Sequence, residues 1–165
     1  LERLIEAYDR FCQGKETPPY LVLAGGKGWL DSGIYKKAEE LGRGDLVKFT
    51  EYVPDEMLCP LMCGALAFVF PSIYEGFGMP PLEAMACGVP VLTTHAASLP
   101  EVVGEDAVVT DPYSPEDIAA GLERLYTDEA LRQRLKAAGP KRAAQFTWER
   151  SAEQLYAVYQ EACRE

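Results

Sequence analysis

The stretch Pro71 to Leu92, PSIYEGFGMPPLEAMACGVPVL, decides how the rest of the chain is read. It leaves the apolar run of residues 65–70, passes through a Gly-rich turn, enters a short helix and emerges in a second apolar run. Gly76 and Gly78 flank Phe77, so the backbone of the turn can approach a ligand closely and expose its N–H groups. Pro80 and Pro81 start the helix, because proline fixes φ and lacks a donor that the first turn would leave unpaired anyway. The positive end of a helix is thereby aimed at an anion, for which a phosphate is the natural candidate. Two carboxylates bracket the turn, Glu75 before it and Glu83 about one turn into the helix.

Outward from this stretch, short apolar runs alternate with helical patterns. Residues 20–24, 46–49, 65–70, 90–93 and 107–110 read as strands. Helical spacing appears in Leu1, Leu4, Ile5, Tyr8, Phe11 and Cys12, and again in Trp29, Leu30, Ile34, Ala38 and Leu41. Asp55 is expected to cap a helix with Leu58, Leu61 and Met62 on its buried side and Pro60 shortening or kinking it. From Ser114 the chain is helical: Ser114 and Thr147 read as caps, and Gly139-Pro140 as an interruption. The alternation predicts an α/β fold, a Rossmann-like doubly wound parallel sheet with flanking helices. Its ligands would sit outside the carboxyl ends of the strands. The turn Gly25-Gly26-Lys27-Gly28 follows one such strand end, which makes Gly25 and Gly26 candidates for backbone contact with phosphate or simply a tight turn.

At 165 residues, with 48% apolar side chains, the chain is expected to be one globular domain. Its 26 acidic against 16 basic residues give a net charge of −10, which argues against a nucleic-acid or anionic-membrane surface. No apolar run approaches the ~20 residues that span a bilayer, so membrane contact is expected only through absent parts or an acceptor. The five cysteines are scattered and odd in number, unlike a secreted disulfide framework, and a reducing cytoplasm is the expected setting. Cys59 and Cys63 fall at i, i+4 on an expected helix, but with a single histidine in the chain no further soft ligands complete a set. Buried free thiols are the expectation and no metal site is assigned. His95 reads as an ordinary loop residue rather than a general base, and Ser98 and Glu101 lie in a loop near the same strand ends without an assigned role.

The spacing Glu-x7-Glu around EGFG and LEAMACG resembles the donor-site motif of family-4 (group 1) retaining glycosyltransferases, which have a GT-B fold. LVLAGGKGW, VKFTEYVPDE, ALAFVFPS, SLPEVVG, DPYSPEDIA and FTWERSA stand in the order of that family's C-terminal domain, and bacterial mannosyltransferase-like members match best. The resemblance implies a metal-independent enzyme without cofactor that moves a hexosyl group, such as mannosyl, from a nucleoside diphosphate sugar to a glycan or lipid-linked acceptor. It implies that Glu83 holds the ribose hydroxyls, for which a carboxylate is a suitable bidentate acceptor. Without it, Glu83 is only a carboxylate favouring a helix N-terminus. Glu75 would face the donor sugar, as a hydroxyl ligand or as a fixed negative charge beside an oxocarbenium-like centre.

Gly76, Phe77, Gly78 and Met79 would offer backbone N–H groups to the diphosphate and sugar, with the Phe77 ring packing chiefly as a core aromatic. The backbone of Tyr52 and Val53 would lie beside the base, although Glu51 stands where a glycine is usual and would narrow the pocket or need another φ.

The resemblance further implies that residues 1–165 are a nucleotide-sugar-binding C-terminal domain truncated at its N-terminus. The first strand, the Arg and Lys that neutralise the departing diphosphate, and the acceptor-binding N-terminal domain would all lie upstream. The chain alone is then expected to bind nucleotide weakly and transfer nothing. A missing central strand would leave edges for an upstream segment or another chain to fill, with an oligomer built by strand complementation as one result. Two other classes remain: a nucleotide- or sugar-binding module without catalysis, and a structural oligomerisation domain in which the Gly-rich turn is only a turn.

Overall fold

The computed structural model describes residues 1–26 and 32–164. In chain order they form α1 (Glu2–Cys12), β1 (Leu21–Ala24), α2 (Ser32–Glu40), β2 (Val47–Glu51), α3 (Asp55–Cys63), β3 (Phe68–Val69) and α4 (Met79–Ala86). β4 (Val91–Thr94), α5 (Leu99–Val103), β5 (Val108–Thr110), α6 (Pro115–Thr127), α7 (Glu129–Ala143) and α8 (Trp148–Ala162) follow. Lys27, Gly28, Trp29 and Leu30, which the sequence reading placed in a turn and a helix start, lie outside the described residues.

Every strand pairing is parallel, as the βα alternation requires. The described strands form two ladders, however: β1 with β2, and β4 between β3 and β5. β4 is buried at all four positions, as befits a strand covered on both faces. The two ladders share one core. Leu21 and Val47 from the first and Leu92 and Val108 from the second join Leu4, Ile5, Tyr8 and Phe11 of α1 and Ile118 and Leu125 of α6. A smaller cluster joins Ala84 and Met85 of α4 to Val91 and Val103.

Helix starts follow the sequence closely in the C-terminal half. Ser114 accepts from the Asp117 N–H at 3.1 Å and Thr147 from the Arg150 N–H at 3.2 Å. Asp128, not singled out in the sequence, does the same for Leu131 N–H at 2.8 Å.

Elsewhere three expectations need correction. Asp55 is the first residue of α3 rather than its cap, and Pro54 precedes the helix without a side-chain cap. Leu58, Leu61 and Met62 are not buried, because α3 lies shallowly on the domain and buries no residue fully. Gly139-Pro140 does not interrupt α7. Gly139 instead lets α7 lie directly on α4, where an added Cβ would stand 3.0 Å from the Met85 carbonyl oxygen. That packing offsets the hydrogen bond proline removes. Helix α8 buries none of its residues and exposes Trp148, Leu155, Tyr156 and Tyr159.

Candidate functional site

The motif turn sits at the carboxyl end of β3, beside the end of β4. Three hydroxyls hold it there. Thr93 Oγ1 donates to the Phe70 carbonyl at 3.1 Å, and Thr94 Oγ1 to the Ser72 carbonyl at 2.6 Å. Ser98 Oγ lies 3.1 Å from the Glu75 carbonyl and 2.9 Å from that of Phe77. Thr93 and Thr94 are fully buried, so their hydroxyls must find partners, and those partners are the carbonyls that lead into the turn. The sequence reading gave no role to Thr93, Thr94 or Ser98. The signal was present in a polar pair closing an otherwise apolar strand.

Gly78 has φ +108° and caps α4, and a Cβ there would meet Leu99 Cδ2 at 2.7 Å. Only glycine satisfies both conditions. Pro80 and Pro81 carry no N–H, so the helix N-terminus presents its dipole through few donors. Among the described residues none accepts a hydrogen bond from the Gly76, Phe77, Gly78 or Met79 N–H. Gly76 and Met79 are exposed, while Gly78 is buried. Phe77 differs from expectation: it is 41% exposed and meets the Phe146 ring edge-on at 5.7 Å rather than entering the core.

Glu75 is half-buried and accepts from Ser72 Oγ at 2.7 Å, which fixes one oxygen and leaves the other without a partner among the described residues. Glu83 is exposed on the face of α4 opposite the buried Ala84 and Met85.

The remaining candidates form a second group at the carboxyl ends of β1 and β2. Gly25 N–H donates to the Glu51 carbonyl at 3.0 Å, where the register slips and Ala24 pairs with Glu51. Gly25 and Gly26 line a shallow cleft with Leu23, Tyr35 and Phe49. Glu51 has φ +58°, so this non-glycine residue adopts the left-handed backbone that favours glycine. Tyr52 is 72% exposed and Val53 half-buried immediately beyond it.

A parallel α/β domain with flanking helices of this kind has the architecture of one half of a GT-B fold. The chain belongs to the glycosyl transferases group 1 family, whose model matches residues 1–142. The chain is similar to O-antigen chain mannosyltransferase B of Escherichia coli, 39% identical over 156 residues that cover 94% of this chain and 41% of the relative. Among solved structures, sucrose-phosphate synthase from Thermosynechococcus elongatus superposes with a TM-score of 0.82 at 28% identity, over 99% of this chain and 42% of that one. Anabaena HepE, solved in complex with UDP and glucose, has the same fold at a TM-score of 0.79 and 23% identity, over 97% and 44% of the two chains. The chain thus spans about two fifths of the length of these relatives. No helix among the described residues is long and apolar enough to cross a membrane.

Proposed function

We propose that residues 1–165 are the donor-binding C-terminal domain of a retaining, metal-independent glycosyltransferase. The parent enzyme moves a hexosyl group, mannosyl in our reading, from a nucleoside diphosphate sugar to a glycan or lipid-linked acceptor in the cytoplasm. The observation that carries this is the turn of Gly76, Phe77, Gly78 and Met79, whose N–H groups have no acceptor among the described residues and which lies between Glu75 and Glu83. Those N–H groups meet the diphosphate. Glu83 accepts from the ribose hydroxyls, and Glu75 faces the sugar and offsets positive charge at its anomeric carbon. Gly25 and Gly26 approach the phosphates from the other ladder, with the Tyr52 and Val53 backbone beside the base.

The charge that develops on the leaving nucleotide needs cations that this reading places upstream of Leu1, together with the acceptor-binding domain. Among the described residues β1 and β3 each pair on one side only, which is where an upstream strand, or one from another chain, would enter. The exposed aromatic face of α8 is the surface for the partner domain.

Calorimetric titration with UDP, GDP, ADP and their sugar conjugates tests the site. Saturable binding of one nucleotide, lost in Glu83→Ala, is expected. Binding unchanged in Glu83→Ala would remove the ribose role, and sugar transfer by the chain alone would refute the need for the upstream half.

A further inference from the structure

At the opposite end of α4 from the anion-facing turn, three thiols converge. Cys87, the C-cap of α4, places its Sγ 3.3 Å from Cys59 Sγ, and Cys59 Sγ lies 3.8 Å from Cys63 Sγ. All three sulfurs fall within 4.8 Å of one another. The sequence brought together only the first pair, one turn apart on α3; the packing of α3 against α4 supplies the third member. None of the three is fully buried, so they are not the inert core thiols that the sequence suggested, and Cys12 alone fits that description.

We propose that Cys59, Cys63 and Cys87 form a three-thiolate site for Zn²⁺ that ties α3 to α4. Zinc with Zn–S bonds of about 2.3 Å sets neighbouring sulfurs of its tetrahedron about 3.8 Å apart. The Cys59–Cys63 separation of 3.8 Å matches that edge and the Cys59–Cys87 separation of 3.3 Å falls a little short of it, whereas a disulfide would need about 2.05 Å. Soft thiolates select a thiophilic d¹⁰ ion over Mg²⁺ or Ca²⁺. Cys59 and Cys63 are exposed, which leaves the fourth tetrahedral position to water.

The site is structural: it clamps the helix that follows Tyr52 and Val53 to the helix that carries Glu83. It is independent of the reaction chemistry, and its test does not need a nucleotide.

The fully reduced, metal-free chain is titrated with Co²⁺. One equivalent is expected to produce a thiolate-to-cobalt charge-transfer band with tetrahedral ligand-field bands, both bleached by Zn²⁺. Cys87→Ser should lose the charge-transfer intensity of one thiolate and weaken binding by tenfold or more, and Cys59→Ser and Cys63→Ser, at exposed positions, should do the same without disturbing the fold. Cys163→Ser should leave the spectrum unchanged. Zinc should raise the thermal midpoint of the wild-type chain but not of Cys59→Ser. The proposal is overturned if the reduced chain gives no charge-transfer band, or if the band survives undiminished in Cys59→Ser and Cys63→Ser.

Discussion

Gly76 and Gly78 stand two residues apart in the same turn, yet the structure assigns them opposite tolerance to alanine. At Gly78 the backbone has φ +108° and ψ 50°, a conformation that costs an L-residue ~1–3 kcal/mol. The new Cβ would also stand 2.7 Å from Leu99 Cδ2, well inside the ~3.5–4.0 Å of an ordinary carbon contact. Leu99 is fully buried, so its displacement repacks a filled core at a further ~1–3 kcal/mol. Gly78→Ala is therefore expected to destabilise the chain by ~2–6 kcal/mol, or roughly 4–24 °C in a domain of this size. At Gly76 no heavy atom lies within 4 Å of the added Cβ and φ is not positive, so Gly76→Ala should stay within ~0.5 kcal/mol of wild type.

Urea unfolding of both variants at matched slopes reads the difference directly. A double-mutant cycle with Leu99→Ala separates the two causes, because on the Leu99→Ala background Gly78→Ala meets no clash and costs only backbone strain. Gly78→Ala within 0.5 kcal/mol of wild type, or Gly76→Ala as costly as Gly78→Ala, would refute the geometry of the turn. Nucleotide affinity separates a further role: Gly76→Ala should weaken binding at unchanged stability, since the added Cβ would hinder close approach of the ligand to the exposed backbone that the proposed function makes a contact.

Glu51→Gly should raise stability by about 0.5–1 kcal/mol in thermal melts, because φ +58° ceases to be strained and outweighs the entropy glycine adds to the unfolded chain. Thr94→Val keeps the shape of a fully buried side chain but strips the Ser72 carbonyl of its 2.6 Å donor; a loss of about 1–3 kcal/mol in urea unfolding is expected, with weaker nucleotide binding. Stability should fall as pH rises. Burial pushes the Cys12 thiol up, and burial with the neighbouring Cys12 pushes the Tyr8 phenol well up. Both groups then ionise earlier in the unfolded chain, which binds fewer protons than the folded one in that range. Their contribution is intact below the ordinary thiol value of about 8.5 and declines above it, then declines further above the ordinary phenol value of about 10. Unfolding midpoints that stay flat or rise between pH 8 and 11 would contradict this.

The fold was legible where one local rule decided each element. Pro80 and Pro81 start α4, and Ser114 and Thr147 cap α6 and α8. It was less legible where tertiary packing overrode a local rule. Pro140 reads as a helix breaker until Gly139 is seen against the Met85 backbone, and Leu58, Leu61 and Met62 read as a buried face until α3 is seen to lie at the surface. The candidate site divides in the same way. The N–H turn and its flanking carboxylates follow from spacing, because glycine, proline and chain order fix them. The hydroxyls of Thr93, Thr94 and Ser98 that aim the turn act across 21 to 23 residues of chain, and no periodicity reports such pairs. Cys87 joins Cys59 across 28 residues for the same reason.

The division of the strands into two ladders gives α1 a duty that the sequence pattern does not announce. Its buried face is common to both: Leu4, Ile5, Tyr8 and Phe11 share one core with Leu21 and Val47 on one side and Leu92 and Val108 on the other. Ion pairs repeat the arrangement at its edges. Glu6 and Asp9 meet Lys37 and Arg43 at 2.8 and 2.7 Å toward the first ladder, while Arg10 and Lys15 meet Glu116 and Glu123 of α6 at 2.6 and 2.5 Å toward the second. Pairs at the solvent-reached edge of a helix contribute little each, so the apolar face carries most of the attachment. Among the described residues the two groups of candidate donor contacts, Gly25, Gly26, Tyr52 and Val53 on one ladder and Glu75 to Glu83 on the other, are therefore held in register by side-chain packing rather than by shared backbone hydrogen bonds. Packing of this kind resists separation but tolerates small sliding motions, so a ligand that contacts both groups would stabilise the whole domain and not merely its own loops.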